Sequence, residues 1–192
     1  MSEIPLILSL DRAGNPQRWV TYEDVAYYEA KDLIIWKQGT QDYRLNGGIN
    51  RVTGERSTMD INTIVAIRGK LMKGVQVDRY NVPPLTNKAL FRRDACTCAY
   101  CGSEFSASNL TRDHVIPTSR GGHNKWNNVV ASCAPCNKIK DNYLLAEIDM
   151  DLIFCPYVPN RAEFLILMNR NILQDQMEFL LARVTKDSRL LQ

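Results

Sequence analysis

The stretch Cys98-Ala-Tyr-Cys101, followed by Asp113-His-Val-Ile-Pro117 and then Cys133-Ala-Pro-Cys-Asn137, decides how this chain is read. Each Cys-x-x-Cys turn can aim two sulfurs at one ion while the intervening loop closes around it, so Cys98, Cys101, Cys133 and Cys136 suit a tetrahedral zinc site. The alternative is a pair of disulfides. Against it, the amino terminus has no basic region or cleavage site, and Ile4–Leu10 is too short for a signal or a membrane span. The chain reads as cytoplasmic, with no membrane partner, and its thiols are expected to stay reduced. Cys96 and Cys155 stand outside the paired pattern and are expected to be packed cysteines, although Cys96 offers itself as a replacement for Cys98. Structural zinc contributes roughly 10–16 kcal/mol of apparent binding energy. A segment poor in large apolar residues is therefore expected to depend on the ion to fold, in a closed site with no open position.

Between the cysteine pairs, Asn109–Pro117 mixes apolar and β-branched residues and stops at a proline, which predicts a short strand with His114 at its end. Arg120-Gly-Gly122 marks a loop and Val129-Val-Ala131 a second strand. Cys133–Asn142 has no glycine and one early proline, Pro135, which a first helical turn tolerates, so a helix follows.

Strand, loop, strand and helix with these residues resemble the HNH endonuclease family in its zinc-bearing ββα-metal form. The matching positions are Phe91-Arg-Arg-Asp-Ala-Cys-Thr-Cys-Ala-Tyr-Cys-Gly102, Asp113-His-Val-Ile-Pro117, Gly121-Gly122, Trp126-Asn-Asn-Val129 and Cys133-Ala-Pro-Cys-Asn137 with Lys140. The resemblance implies that His114 is the general base, Asp113 a ligand of the catalytic metal, Asn128 the residue that orients the histidine, and Asn137 the last motif position. That last position is a histidine in some members, so this chain is an H-N-N variant. Hard oxygen donors from Asp113 and Asn137 favour Mg2+ or Mn2+ over zinc or nickel. The implied activity is DNA phosphodiester hydrolysis leaving 5′-phosphate and 3′-hydroxyl ends, in a bacterial or phage protein. The alternative function is a zinc-dependent nucleic-acid-binding module with little or no cleavage. Asp113, His114, Asn128 and Asn137 together favour the enzyme, because binding alone requires neither a base nor a second metal site.

The chain carries a net charge of +3, and the excess falls on the motif segment: residues 86–142 hold eight basic and four acidic side chains. Lys88, Arg92, Arg93, Arg112, Arg120, Lys125, Lys138 and Lys140 are the candidate phosphate contacts, with a solvated surface charge as the bland reading of each. His123 has no assigned role, and Trp126 is expected to pack the loop rather than stack on a base.

The fold class expected is α+β. Residues 1–85 form a small amino-terminal α+β unit with a DNA-binding or interaction role, residues 86–152 the HNH core, and residues 153–192 a carboxy-terminal helix. In the first, Pro5–Leu10, Leu33–Trp36 and Ile61–Ile67 read as strands. Thr21 with Asp24 opens a helix reaching about Lys31, Asn46-Gly-Gly and Thr53-Gly54 read as turns, and Met72–Thr86 as a linker. Arg161–Val184 lacks glycine and proline, which predicts one long helix. Asn169, Gln176 and Arg183 recur every seven residues inside its apolar face. A homodimer interface is one reading of that row, and packing on the chain's own amino-terminal unit is the other.

Overall fold

The computed structural model describes residues 5–68, 82–169 and 171–191. The chain divides into two compact units, Met1–Val77 with Asn169–Arg183, and Asp78–Met168 with Val184–Gln192. The α+β class expected from the sequence is observed in both. Among the described residues, no helix is long and apolar enough to cross a membrane.

The first unit is a four-stranded sheet in the order β2-β1-β4-β3. The centre is β1 (Ile7–Leu10), buried along its whole length, antiparallel to β2 (Pro16–Val20) and parallel to β4 (Arg56–Ile67). Between β2 and β3 (Ile34–Ile49) runs α1 (Tyr22–Ala30). Its start was legible: Thr21 Oγ1 accepts the Asp24 N–H and Asp24 Oδ2 accepts the Thr21 N–H, a reciprocal capping box. Val25 and Tyr28 of α1 close over Ile7, Val20, Ile61, Val65 and Ile67.

Asn46-Gly-Gly is not the expected turn. It lies inside β3, where the ladder register shifts between Asn46 and Ile49. A Cβ at Gly47 would meet Ser57 Oγ at 2.3 Å, so glycine here allows close approach of the partner strand at an irregularity. The reversal comes at Asn50–Glu55 instead, where Asn50 Oδ1 accepts the Val52 and Thr53 N–H groups and Gly54 takes φ +72°.

In the second unit, α2 (Asn87–Arg93) precedes an antiparallel pair, β5 (Leu110–His114) and β6 (Val129–Cys133), and α3 (Ala134–Lys140) leaves β6 directly with Pro135 in its first turn. The predicted strand, loop, strand and helix order is therefore present. The core is larger than the motif segment alone implied, because α2 and α4 (Arg161–Met168) supply Ala89, Leu90, Phe91 and Phe164 to a cluster with Leu110, Trp126, Val129 and Ala131. Trp126 packs as expected, 2% exposed, with Nε1 donating to the Pro83 carbonyl at 2.8 Å. Pro83 thus belongs to this packing, while Met72–Asn81 of the expected linker lies outside the described residues.

The expected single terminal helix is corrected to two short ones, α4 and α5 (Gln174–Leu181). Neither glycine nor proline breaks it. Asn169 Oδ1 accepts the Asn171 N–H, a side-chain turn that competes with helix, and Gln176 Oε1 accepts the Leu173 N–H as a fresh start. Gln176 is fully buried and its amide donates to the Leu6 and Thr63 carbonyls at 2.9 and 2.8 Å. The polar row is split between elements, and Gln176 is spent inside the chain, on the first unit. The homodimer reading loses its basis.

Candidate active site and metal centre

Four thiols converge where the Cys98–Cys101 turn meets the β6–α3 junction. The sulfurs of Cys98, Cys101, Cys133 and Cys136 all lie within 4.8 Å of one another, against an edge of ~3.8 Å for a tetrahedron with Zn–S bonds of 2.3 Å. The donor set fits zinc, and all four residues are the ones the spacing singled out. Cys96 is half-buried against the core and outside the cluster, while Cys155 is exposed rather than packed. The turn is docked by main chain: Ala99 N–H donates to the Ala131 carbonyl of β6 at 2.8 Å, and Gly102 closes it with φ +72°. Burial opposes the Cys98 thiolate, but the main-chain donors of Cys101, Cys133 and Tyr100 with the Cys101 thiol outweigh it and bring the pKa down to about 6. Burial pushes Cys133 and Cys136 up.

Asp113 and His114 end β5. Side chains alternate across a strand, so Thr111 and Asp113 share one face and Arg112 and His114 the other. On the first face, Asn137 of α3 donates from Nδ2 to Thr111 Oγ1 at 2.8 Å, and Thr111 in turn donates to the Ser132 carbonyl at 3.0 Å. The hydroxyl hydrogen is spent on Ser132, so Thr111 can only accept from Asn137, which fixes the amide with its nitrogen toward Thr111 and leaves its oxygen without a hydrogen bond from the described residues. Asp113, 7% exposed, accepts the Tyr100 hydroxyl on Oδ2 at 2.5 Å, and its other oxygen accepts no hydrogen bond from the described residues. Burial, then the Asp113 carboxylate, raise the Tyr100 pKa well above that of a free phenol, so tyrosine is the donor. Tyr100 was missed in the sequence, where it is one of two spacers in a Cys-x-x-Cys turn.

The His114 ring has Nε2 enclosed, with no hydrogen-bond partner among the described residues. Among the described residues, the Asn128 side chain makes no hydrogen bond to that ring. Its Oδ1 accepts the Ile116 N–H at 2.9 Å, its Nδ2 donates to the Ile116 and His123 carbonyls at 3.0 Å each, and its own carbonyl accepts the Val115 N–H. It braces the turn that follows the histidine. Gly122 belongs to the same knot, because a Cβ there would lie 1.8 Å from the Ile116 carbonyl oxygen.

Two of the basic candidates are interior residues. Arg93 is 2% exposed and uses all five N–H donors: Nε and Nη2 grip Asp94, Nη1 reaches the Trp126 and Tyr157 carbonyls, and Nη2 also the Val129 carbonyl. Asp94 returns a bond from the Ala131 N–H at 2.7 Å. Lys140 is fully buried. Neither can meet a phosphate: every donor of Arg93 is committed to a local acceptor, and Lys140 is enclosed, with Nζ turned to the His114 carbonyl. Arg92 is half-buried and donates to the Leu167 carbonyl, Arg112 binds Asn124 Oδ1, and Arg120 pairs with Glu147 at 2.6 Å on the surface. Lys125 and Lys138 are exposed.

Residues 98–153 match the family model described as HNH endonuclease. Among curated proteins, the CRISPR-associated endonuclease Cas9 of Corynebacterium diphtheriae is 37% identical over 90 residues, 43% of this chain and 8% of its own length. That of Actinomyces naeslundii is 32% identical over 77 residues, 37% of this chain and 7% of its own. The chain thus spans less than a tenth of either relative. The solved Type II-C Cas9 enzyme from Actinomyces naeslundii aligns with 55% of this chain and 13% of its own at 21% identity and a TM-score of 0.31.

Proposed function

We propose that this protein is a metal-dependent endonuclease that hydrolyses DNA phosphodiester bonds, with His114 as general base and a divalent ion, Mg2+ or Mn2+, held by Asp113 and Asn137. The observation that carries the reading is that, among the described residues, Asp113 of β5 and Asn137 of α3, which is bonded to Thr111 on the Asp113 face, each keep one oxygen uncommitted, with His114 ending the same strand. A zinc ion in the four-thiol cluster would hold the scaffold without entering the reaction.

With Nε2 enclosed, His114 takes the proton from the attacking water at Nδ1, a general-base contribution of roughly 10²–10⁴-fold. Asn128 and Gly122 hold the turn after the strand, so the ring keeps its place relative to Asp113. Exposed Lys125 and Lys138 are the cations best able to meet DNA phosphates. The bound divalent ion would supply positive charge to the scissile phosphate and the leaving 3′ oxygen.

The test is supercoiled plasmid incubated with purified protein and Mg2+ or Mn2+. Wild type is expected to nick or linearise it, and His114→Ala to lose activity by orders of magnitude while keeping its zinc and fold. Full activity in that variant removes the assigned base, and plasmid binding without cleavage by wild type favours the zinc-dependent binding module instead.

A further inference from the structure

The hydroxyl of Tyr100 on Asp113 links the four-thiol turn to the proposed ligand of the catalytic ion. Tyr100 sits inside the Cys98–Cys101 turn, whose backbone is pinned at Ala99 to β6, and its phenol reaches Asp113 Oδ2 at 2.5 Å. A carboxylate can turn about its last side-chain bond, and each orientation presents a different oxygen. A single donor on Oδ2 removes that freedom and leaves Oδ1 as the outward ligand. Asn137 is oriented in the same way, through Thr111 and Ser132. The two proposed ligands are thus each held by one hydrogen bond on the atom not offered to the ion, as supporting groups around metal ligands commonly do.

We propose that Tyr100 is a positioning residue for the catalytic divalent ion, setting the orientation of Asp113 from the thiol-bearing turn. It touches neither water nor phosphate. This rests on the reading of Asp113 as a metal ligand, and it adds that affinity for the divalent ion depends on an element that the four cysteines build. Removing the hydroxyl while keeping the ring frees Asp113 to rotate, so binding weakens while chemistry at saturating ion is largely retained.

The experiment is Mn2+ binding to full-length wild type, Tyr100→Phe and Asp113→Ala, followed by electron paramagnetic resonance of the free ion, with zinc content and plasmid cleavage measured in parallel. Tyr100→Phe is expected to bind Mn2+ about tenfold or more weakly, to keep wild-type zinc, and to recover most of its maximal cleavage rate at high Mn2+. Unchanged Mn2+ affinity in Tyr100→Phe, with binding abolished in Asp113→Ala, overturns the role of Tyr100 alone. Unchanged affinity in Asp113→Ala overturns the ligand assignment and the inference with it. If Tyr100→Phe loses zinc, the phenol serves the four-thiol site and the positioning role is wrong.

Discussion

Lys140, at the end of α3 and fully buried, donates from Nζ to the main-chain carbonyl of His114 across 3.1 Å. The bond ties the last turn of the helix to the last residue of the strand, a second tie between α3 and β5 beside that of Asn137 to Thr111. Lys140→Met keeps the aliphatic stem and leaves that carbonyl unpaired, at a cost of about 1–3 kcal/mol. We expect a lower thermal midpoint and slower cleavage. An unchanged midpoint would show that the buried ammonium contributes nothing to the frame.

Exposed lysines should behave differently from buried ones when DNA binding is measured against salt. In a His114→Ala background, expected to leave the plasmid uncut, Lys125→Ala and Lys138→Ala should each reduce the slope of log affinity on log salt by about 1. Lys140→Met in the same background should leave the slope alone. A slope that falls for Lys140 and not for the other two would reverse this assignment.

Loss of one thiol should cost the second unit much of its stability. Cys98→Ser is expected to lower zinc content and to destabilise by more than about 4 kcal/mol, and a chelator should do the same to wild type. The aromatic core around Phe91, Trp126 and Phe164 is expected to preserve residual helix after zinc is lost, which circular dichroism would detect. Cys155→Ser, outside the cluster, should match wild type in both measurements. Full zinc in Cys98→Ser would mean that the site has another ligand.

Gln176→Ala leaves the Leu6 and Thr63 carbonyls without their donor, and should destabilise the first unit by about 1–3 kcal/mol. Mass by light scattering should be the same as wild type. A dimeric wild type that becomes monomeric in this variant at undiminished stability would restore the interface reading of the row.

What was legible in the sequence was whatever depends on near neighbours. The thiol pairs, the strand ending at His114, the helix after Cys133 and the Thr21/Asp24 capping box are all set by spacings of a few residues. What escaped depends on partners far along the chain. Nothing near Arg93 announces that its fork closes on Trp126, Val129 and Tyr157, nor near Lys140 that it turns inward to His114, so both read as surface cations. The glycines at 47 and 48 carry the composition of a turn, and only Ser57 across the ladder explains the first of them. The break between α4 and α5 is written in Asn169, a residue whose local turn chemistry an apolar periodicity conceals.

The return of Asn169–Arg183 to the amino-terminal sheet, before the last residues rejoin the second unit, limits how this protein can be divided. The peptide backbone passes from one unit to the other three times, so no single scission separates them. A fragment started after residue 85 would carry α5 stripped of its sheet, with Gln176 and Leu180 turned out to water, and one stopped at residue 168 would forfeit Arg189, whose guanidinium donates to the Asp94 carbonyl and lies over Phe154. Transplanting the second unit into another protein therefore calls for splicing around an inserted segment, and a protease nick between α4 and α5 should leave the pieces associated until denaturant is added.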